Sequence, residues 1–391
     1  MKGSVILLHN QDYWEISNIE IYGGTNKPND QVAGIFVEAT TAQRVLNHII
    51  IKDCTIRNTL GSIKLYESSA VWVGVPGWDN KNGLTTSFNN VVIENNKIYN
   101  SVRNGILVWT CAGPGKESQF QKGLIPSKNV IIRKNHLENI GGDAILVLGS
   151  DKPLIEYNTV EHCCTQSGDP KFGKDYNPSS AAIWLHHCEN GLMQFNIVIN
   201  CEKLENNNDG MAYDFDFNCN GNILQYNFSY NNKGGFLLIM PTATNNIARY
   251  NVSHNDLSHV LFCVGNKDEN NLVYNNTFYN ELGKSFIVAN SIFYNNIFVA
   301  LKDAKISVQN PESGIFDSNC YFGNWGTKPK DDNALNEDPL LKPVNAKYGH
   351  WHLKKDSPCK QNGKLIPNNG GRDIFGKKIS NTKKPSIGAC E

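Results

Sequence analysis

The chain predicts an all-β solenoid, a parallel β-helix whose short strands wind into stacked coils, and three observations lead there. An apolar residue, one or two polar or aromatic residues and an Asn recur in one frame at Ile93-Glu94-Asn95-Asn96, Ile132-Arg133-Lys134-Asn135, Ile155-Glu156-Tyr157-Asn158, Met193-Gln194-Phe195-Asn196, Leu224-Gln225-Tyr226-Asn227, Ala248-Arg249-Tyr250-Asn251, Val273-Tyr274-Asn275-Asn276 and Phe293-Tyr294-Asn295-Asn296, with Ile51-Lys52-Asp53-Cys54 as a degenerate earlier copy. The final positions lie 20, 23, 24 or 25 residues apart where the chain is compact and 31 to 42 apart elsewhere. A fixed short period with occasional excess means repeats whose insertions loop out. Each copy is also followed by a second apolar run with alternating side chains, which reads as strand, turn, strand and not as paired helices.

An Asn inside such a turn tolerates left-handed backbone geometry and can bond neighbouring backbone groups, so stacked copies should form a ladder. The repeated I-x-x-N and Y-N-x-S/T frames, from about Ile16 to Val299, resemble the right-handed parallel β-helix proteins of the pectin-lyase-like superfamily. That resemblance implies a right-handed helix of about ten coils, with a carbohydrate as the expected ligand. Residues 1–300 are expected to form the helix, and 301–391 irregular C-terminal coils and a cap.

Composition agrees. The chain has 391 residues, with 37 basic and 37 acidic side chains, so no net field favours nucleic acid or an anionic membrane. No apolar run reaches the length of a membrane-spanning helix. With 40% hydrophobic residues the chain can bury a long core, and a monomer is expected.

At the start, Met1-Lys2-Gly3-Ser4-Val5-Ile6-Leu7-Leu8 runs almost directly into Tyr13-Trp14-Glu15-Ile16, already a rung, without the small-residue cleavage site of a signal peptide. Such proteins carry a cap and earlier coils ahead of a rung, so a longer N-terminal end is expected. The 11 cysteines show no C-x-x-C spacing, and the vicinal pair Cys163-Cys164 is a poor mutual disulfide. Cys188, Cys201 and Cys219 recur near strand ends of consecutive coils and read as buried free thiols. The sequons at Asn227-Phe228-Ser229 and Asn251-Val252-Ser253 use ladder Asn turned inward, which argues against glycans there.

The second strand of each coil is where chemistry is sought. Aligning Gly105-Ile106-Leu107-Val108-Trp109, Ala144-Ile145-Leu146-Val147-Leu148, Ala182-Ile183-Trp184-Leu185-His186, Ala212-Tyr213-Asp214-Phe215-Asp216, Gly235-Phe236-Leu237-Leu238-Ile239 and His259-Val260-Leu261-Phe262-Cys263 without gaps sends Ile106, Ile145, Ile183, Tyr213, Phe236 and Val260 to the lumen. The outward columns are then Leu107, Leu146, Trp184, Asp214, Leu237, Leu261 and Trp109, Leu148, His186, Asp216, Ile239, Cys263. An outer face this apolar is covered by something, and Trp184 or Trp109 suits a sugar ring.

In its middle stand two carboxylates. Asp214 and Asp216 have α-carbons roughly 6.6 Å apart on one side of a strand, Asp209 in the preceding turn can reach the same spot, and His186 should stack one coil before Asp216. Glycosidic hydrolysis requires paired carboxylates, one protonating the leaving oxygen and one activating water or attacking carbon. Crowding acids on an apolar face raises the pKa of one of them and so supplies that asymmetry. The cluster is similar to the acidic strand of β-helix glycoside hydrolases such as polygalacturonases, but the Asn-Thr-Asp, Gly-His-Gly and Arg-Ile-Lys signatures of that activity are absent. The expected catalytic set is Asp209, Asp214, Asp216 and His186, with Trp184, Trp109 and Asp143 as substrate contacts and no cofactor.

Two other classes fit parts of the pattern. A polysaccharide lyase would use the acids to hold Ca²⁺, with Arg103 or Arg249 as base, though neither lies in the outward columns. A carbohydrate-binding solenoid needs the aromatic face but not clustered acids, and outward Asp residues also anchor turns. The excess length falls at Asn58–Val91, Cys111–Asn129, Cys164–Ala181 and Cys201–Gly210, which should wall one face, with Pro76-Gly77-Trp78-Asp79 and Lys171-Phe172-Gly173-Lys174-Asp175-Tyr176 mixing aromatics and charge. Beyond Ala300 the period fades. Segments such as Asp356-Ser357-Pro358-Cys359 and Pro385-Ser386-Ile387-Gly388-Ala389-Cys390-Glu391 resemble the closing regions of secreted bacterial β-helix proteins. Export and a polysaccharide or oligosaccharide substrate are expected from that likeness.

Overall fold

The computed structural model describes residues 2–23, 30–41, 44–75, 86–110, 125–165, 179–203, 208–345 and 350–391. The loop segments 76–79 and 171–176 singled out above lie outside them. The chain winds through three parallel sheets. The first and third hold 11 strands each, and the second holds 12, of which Ser150–Asp151 stands off the main path. Each turn of the chain enters every sheet once, so the described residues form a parallel β-helix of 11 coils. The regular strands continue past residue 300, to Lys305–Gln309, Ile315–Asp317 and Cys320–Gly323.

The Asn frame is a physical ladder. Asn96 donates through Nδ2 to Asn135 Oδ1 at 2.9 Å and to the Ile51 carbonyl at 3.0 Å, while its backbone N–H reaches the same Asn135 Oδ1 at 3.0 Å. The pattern repeats through Asn158, Asn196, Asn227, Asn251, Asn276 and Asn296 to Asn319. Each internal amide uses both donor hydrogens and both acceptor lone pairs, which is how a polar side chain survives full burial. Cys54 begins the ladder, donating its backbone N–H to Asn96 Oδ1 but lacking an amide of its own. Asp331 ends it, accepting from Asn319 N and Nδ2.

The left-handed residue of each turn is not the ladder Asn but the one before it. Lys134 (φ 56), Tyr157 (φ 56), Phe195 (φ 55), Tyr226 (φ 57) and Tyr250 (φ 52) all adopt that geometry. A left-handed aromatic is costly by itself. Here it turns the next residue into the ladder and lays its own ring on the neighbouring coil, as in the stack Tyr157–Phe195–Tyr226, at centroid separations of 4.8 and 5.2 Å.

One apolar core fills the lumen from Leu8 to Tyr321. The sequence alignment of the first sheet holds as far as Met211–Phe215 and then slips by one residue. Gly235 pairs with Met211, not with Ala212, so Asp214 stands beside Leu238 and Leu238 beside Phe262. Leu237, Ile239, Leu261 and Cys263, expected outside, belong to the lumen core. A one-residue slip exchanges the faces of a strand, and its cause is local. Gly235 has φ +131, a Cβ there would stand 1.6 Å from the His259 carbonyl oxygen, and a bulge interrupts the following strand between His259 and Leu261.

Cysteine pairing also differs from the sequence reading. Cys163 and Cys201 form a disulfide with α-carbons 4.7 Å apart, whereas Cys188 and Cys219 are buried free thiols as expected. The spacing of parallel strands brings equivalent positions on successive coils within disulfide reach, so Cys201 finds a partner one coil away.

At the C-terminal end Trp325 stands edge-on to Phe298 and Tyr321, and Ala334 packs against the lumen core. The remaining tail runs back along the outside of the second and third sheets. Ile366 and Ile379 cover Tyr226, Tyr250 and Tyr274. Trp351 and Ala389 cover Ile199, Phe228 and Val252.

Candidate active site

The first sheet's outward side chains form a second apolar cluster, separate from the lumen: Phe36, Trp72, Leu107, Trp109, Leu146, Leu148, Trp184, Met211 and Leu238 among them. Strand pairing sets one column, Leu107–Leu146–Trp184–Asp214–Leu238, in which Asp214 interrupts the hydrocarbon. Trp109 is buried against Trp72, with centroids 6.0 Å apart, and against Tyr66 at 5.5 Å. It is a wall of this cluster and offers no open platform.

Asp214 sits on Met211–Phe215 with 5% of its surface exposed, and its Oδ1 has no hydrogen-bond partner among the described residues. Burial pushes its carboxyl well above the usual carboxylate range, and the charges of Asp216, Asp209 and Asp143 push the same way. Asp216 follows the strand end. Its backbone N–H donates to the Leu185 carbonyl at 2.9 Å, which fixes it over the previous coil, and its Oδ1 accepts from Phe217 N at 2.7 Å. Asp209 is half-buried in the turn entering the strand. The charges of Asp216 and Asp209, the other two acids expected from sequence, thus both act on Asp214.

His186 comes to Asp216 as its stacking position required, with Nε2 3.8 Å from Asp216 Oδ2. Burial holds its imidazole well below the ordinary range, and His187 adds to this. His187 is not turned into the lumen as its place in the alternation implied. Its left-handed backbone (φ 51) folds the ring back onto His186, with centroids 4.3 Å apart and the Nδ1 atoms in contact, and Asn218 Nδ2 meets its Nε2 at 2.8 Å. Burial brings its pKa down to about 4. Neutral imidazoles here leave the acids without a cationic histidine, which keeps the proton demand on the carboxyls.

Asp143 stands behind this face, not on it. It is fully buried, its Oδ1 accepts from Trp184 Nε1 and Ala181 N, both at 3.1 Å, and its Oδ2 lies 3.2 Å from Arg103 Nη2. Arg103 is buried too, donating Nη1 to Ser180 Oγ at 2.8 Å and lying 4.4 Å over the Tyr66 ring. Burial raises the Asp143 carboxyl and Arg103 opposes this; the guanidinium, which does not release its proton, stands 3.2 Å from Asp143 Oδ2 as its counter-ion. The partnership was missed in the sequence. Its signal was present, because Arg103 and Asp143 occupy the same turn of adjacent coils, just ahead of strands that pair in register.

The lyase alternative finds little support in this geometry. Arg103 is committed to Asp143, and Arg249 lies on the second sheet, bonded to Gln225 Oε1, Tyr274 Oη and the Asn368 carbonyl. Among the described residues no group of three or more His, Cys, Asp or Glu side chains is arranged to hold a metal ion.

No protein-family profile matches the chain. It is similar to a lacto-N-biosidase of Bifidobacterium longum subsp. longum, 30% identical over 325 residues, which is 76% of this chain and 20% of that protein. The chain thus spans about one fifth of the length of the curated relative it matches. Among solved structures it resembles the GH136 lacto-N-biosidase of Eubacterium ramulus, with a TM-score of 0.57 and 22% identity over 84% of this chain and 51% of that one. It also resembles XylC in complex with xylose, with a TM-score of 0.57 and 14% identity over 90% of this chain and 66% of that one. These structural likenesses support the β-helical fold.

Proposed function

We propose that this β-helix carries the hydrolytic centre of a glycoside hydrolase acting on an oligosaccharide, with an activity of the lacto-N-biosidase type. The observation that carries the reading is Asp214, a buried carboxyl with a free lone-pair side, set beside Asp216 and Asp209 on an apolar sheet. Asp214 holds the proton at rest and delivers it to the leaving oxygen. Asp216, placed over the previous coil and next to a neutral His186, is the charged partner that attacks or activates water, and Asp209 keeps the proton affinity of the group high. Trp184, adjacent to Asp214 across the coil, supplies the aromatic surface for a sugar ring.

The name of the Bifidobacterium relative points to the lacto-N-biose unit as the first substrate to try, and the disulfide Cys163–Cys201 favours an oxidising, extracytoplasmic setting. Because the acid must keep its proton, activity should fall as pH rises through the raised Asp214 pKa. The test is hydrolysis of a chromogenic lacto-N-bioside, alongside plant and algal glycans, by the parent protein and by Asp209→Asn, Asp214→Asn and Asp216→Asn. Asp214→Asn and Asp216→Asn should each lower kcat on the order of 10²- to 10⁴-fold with saccharide binding retained, and Asp209→Asn should move the basic limb to lower pH. Undiminished turnover in Asp214→Asn and Asp216→Asn would refute the assignment.

A further inference from the structure

We propose that Asp143 is a positioning residue of the acid cluster: it fixes the Trp184 indole from behind and sets a permanent negative charge beside Asp214, held in place by Arg103. The inference rests on the reading of Asp214 as the proton holder. Asp143 cannot touch a substrate, since it is fully buried and its oxygens are directed to Trp184 Nε1, Ala181 N and Arg103 Nη2. A neutral carbonyl would hold an indole N–H equally well. Burying a carboxylate with a guanidinium is costly for stability alone, so the charge calls for another use.

That use is supplied by position. Trp184 is the direct neighbour of Asp214 across the coil, so the carboxylate that grips the indole lies one side chain away from Asp214. The groups that act on Asp214 are Asp216 beside it on the chain, Asp209 from the preceding turn and Asp143 from two coils back, with His186 neutral next to Asp216. Asp209 and Asp216 are open to change as substrate arrives. Asp143 is not, because it is closed off from solvent and set against the Arg103 guanidinium, which opposes the effect of burial on its carboxyl. It therefore acts as a constant field that favours the protonated form of Asp214 between turnovers, while its hydrogen bond keeps the indole edge from swinging into the site.

The experiment measures kcat against pH, together with the Asp214 carboxyl titration by difference infrared spectroscopy, in Asp143→Asn, Arg103→Gln and Trp184→Phe, with thermal melts to confirm folding. Asp143→Asn keeps an acceptor for the indole but removes the charge, so the basic limb and the Asp214 titration should both move to lower pH, by about one unit. Arg103→Gln should move them the same way, because an unpaired buried Asp143 takes up a proton and loses its charge. Trp184→Phe keeps the charge and should leave the limb in place while raising KM. A limb and titration unchanged in both charge variants, whatever happens to kcat, would overturn the proposal. The infrared titration needs no turnover, so a shift there without activity in any variant would indict the hydrolase reading and leave the Asp143 field standing.

Discussion

At the residue scale the chain places polar and charged groups where hydrocarbon is expected and sets them against one another. The Arg103–Asp143 pair depends on a glycine for its approach. A Cβ at Gly142 would stand 2.1 Å from Arg103 Nη1 and 2.8 Å from the Arg103 carbonyl oxygen, while Gly142 N itself donates to that carbonyl at 2.6 Å. Nothing larger than hydrogen fits between them. Gly142→Ala should therefore push the guanidinium off Asp143 and strand two buried charges, at a cost of about 3–5 kcal/mol. Urea denaturation measures this, and a loss under 1 kcal/mol would mean that the pair relaxes elsewhere. The sequence offered Asp143 as a substrate contact, and Gly141-Gly142-Asp143 also reads as an ordinary turn; neither reading places it in the interior. Burial by the third dimension is what a turn's composition does not disclose, and the same blindness hid His187, whose left-handed φ moves it from one face to the other.

At the scale of elements the molecule is held by ladders, and a second, shorter one shows how pH enters. Cys201 N donates to Asn232 Oδ1 at 2.9 Å, and Asn232 donates from N and Nδ2 to Asp256 Oδ1 at 3.0 and 2.8 Å, while Ser229 and Ser253 hydroxyls donate to Asp256 Oδ2. Burial outweighs these bonds and pushes the Asp256 carboxyl up to about 6. A raised folded-state pKa means that the native state binds the proton more tightly than the unfolded chain. The stability from Asp256 is then fully present below about pH 4, and it is lost as pH rises towards and through about 6, by about 3 kcal/mol. Asp256→Asn cannot ionise, and the serine hydroxyls can turn to accept from its amide. The variant should lack that decline, so its stability relative to the parent should rise between pH 4 and 7 in parallel urea melts; parallel profiles would sink the assignment. The ladder was legible in the sequence because the bonded Asn recurs at a fixed frame, although the left-handed turn itself is made by the residue before it. The register beyond Asp216 was not, since Gly235 looks like the small residue that opens the preceding strands at Gly105, Ala144, Ala182 and Ala212. Only its φ of +131 and the following bulge reveal that it pairs one place earlier.

At the scale of the whole molecule, a solenoid transmits support only between neighbouring coils, so what braces the coil carrying the acids matters more than total length. The tail supplies that brace. The strand Ile197–Ile199 on the third sheet leads into the coil that bears Asp214 on the first, and Ile199 is buried with Phe228 and Val252 under Trp351 and Ala389. Trp351 stacks on Tyr279 at 4.4 Å and stands edge-on to His254 at 5.0 Å. The tail is pinned further by Asn275 Nδ2 to the Ser386 carbonyl at 2.8 Å, Gly388 N to the Asn295 carbonyl at 2.8 Å and Tyr226 Oη to the Arg372 carbonyl at 3.1 Å. A segment that only sealed the end of the lumen would protect the last coil first. This one clamps several coils at once, from the acid-bearing coil towards the C-terminal end, and so should make them melt together. Trp351→Ala removes the largest side chain of the clamp and should cost about 3–5 kcal/mol. The loss should appear as heat inactivation of glycoside cleavage at the same lowered temperature as unfolding of the C-terminal coils, with kcat at 25 °C unchanged, because Trp351 packs on the third sheet and Asp214 stands on the first. Hydrogen exchange resolves the two regions: deprotection of Met211–Phe215 together with Val252–His254 supports the clamp, and deprotection of Val252–His254 alone would show that the acid-bearing coil is held by its neighbours without the tail.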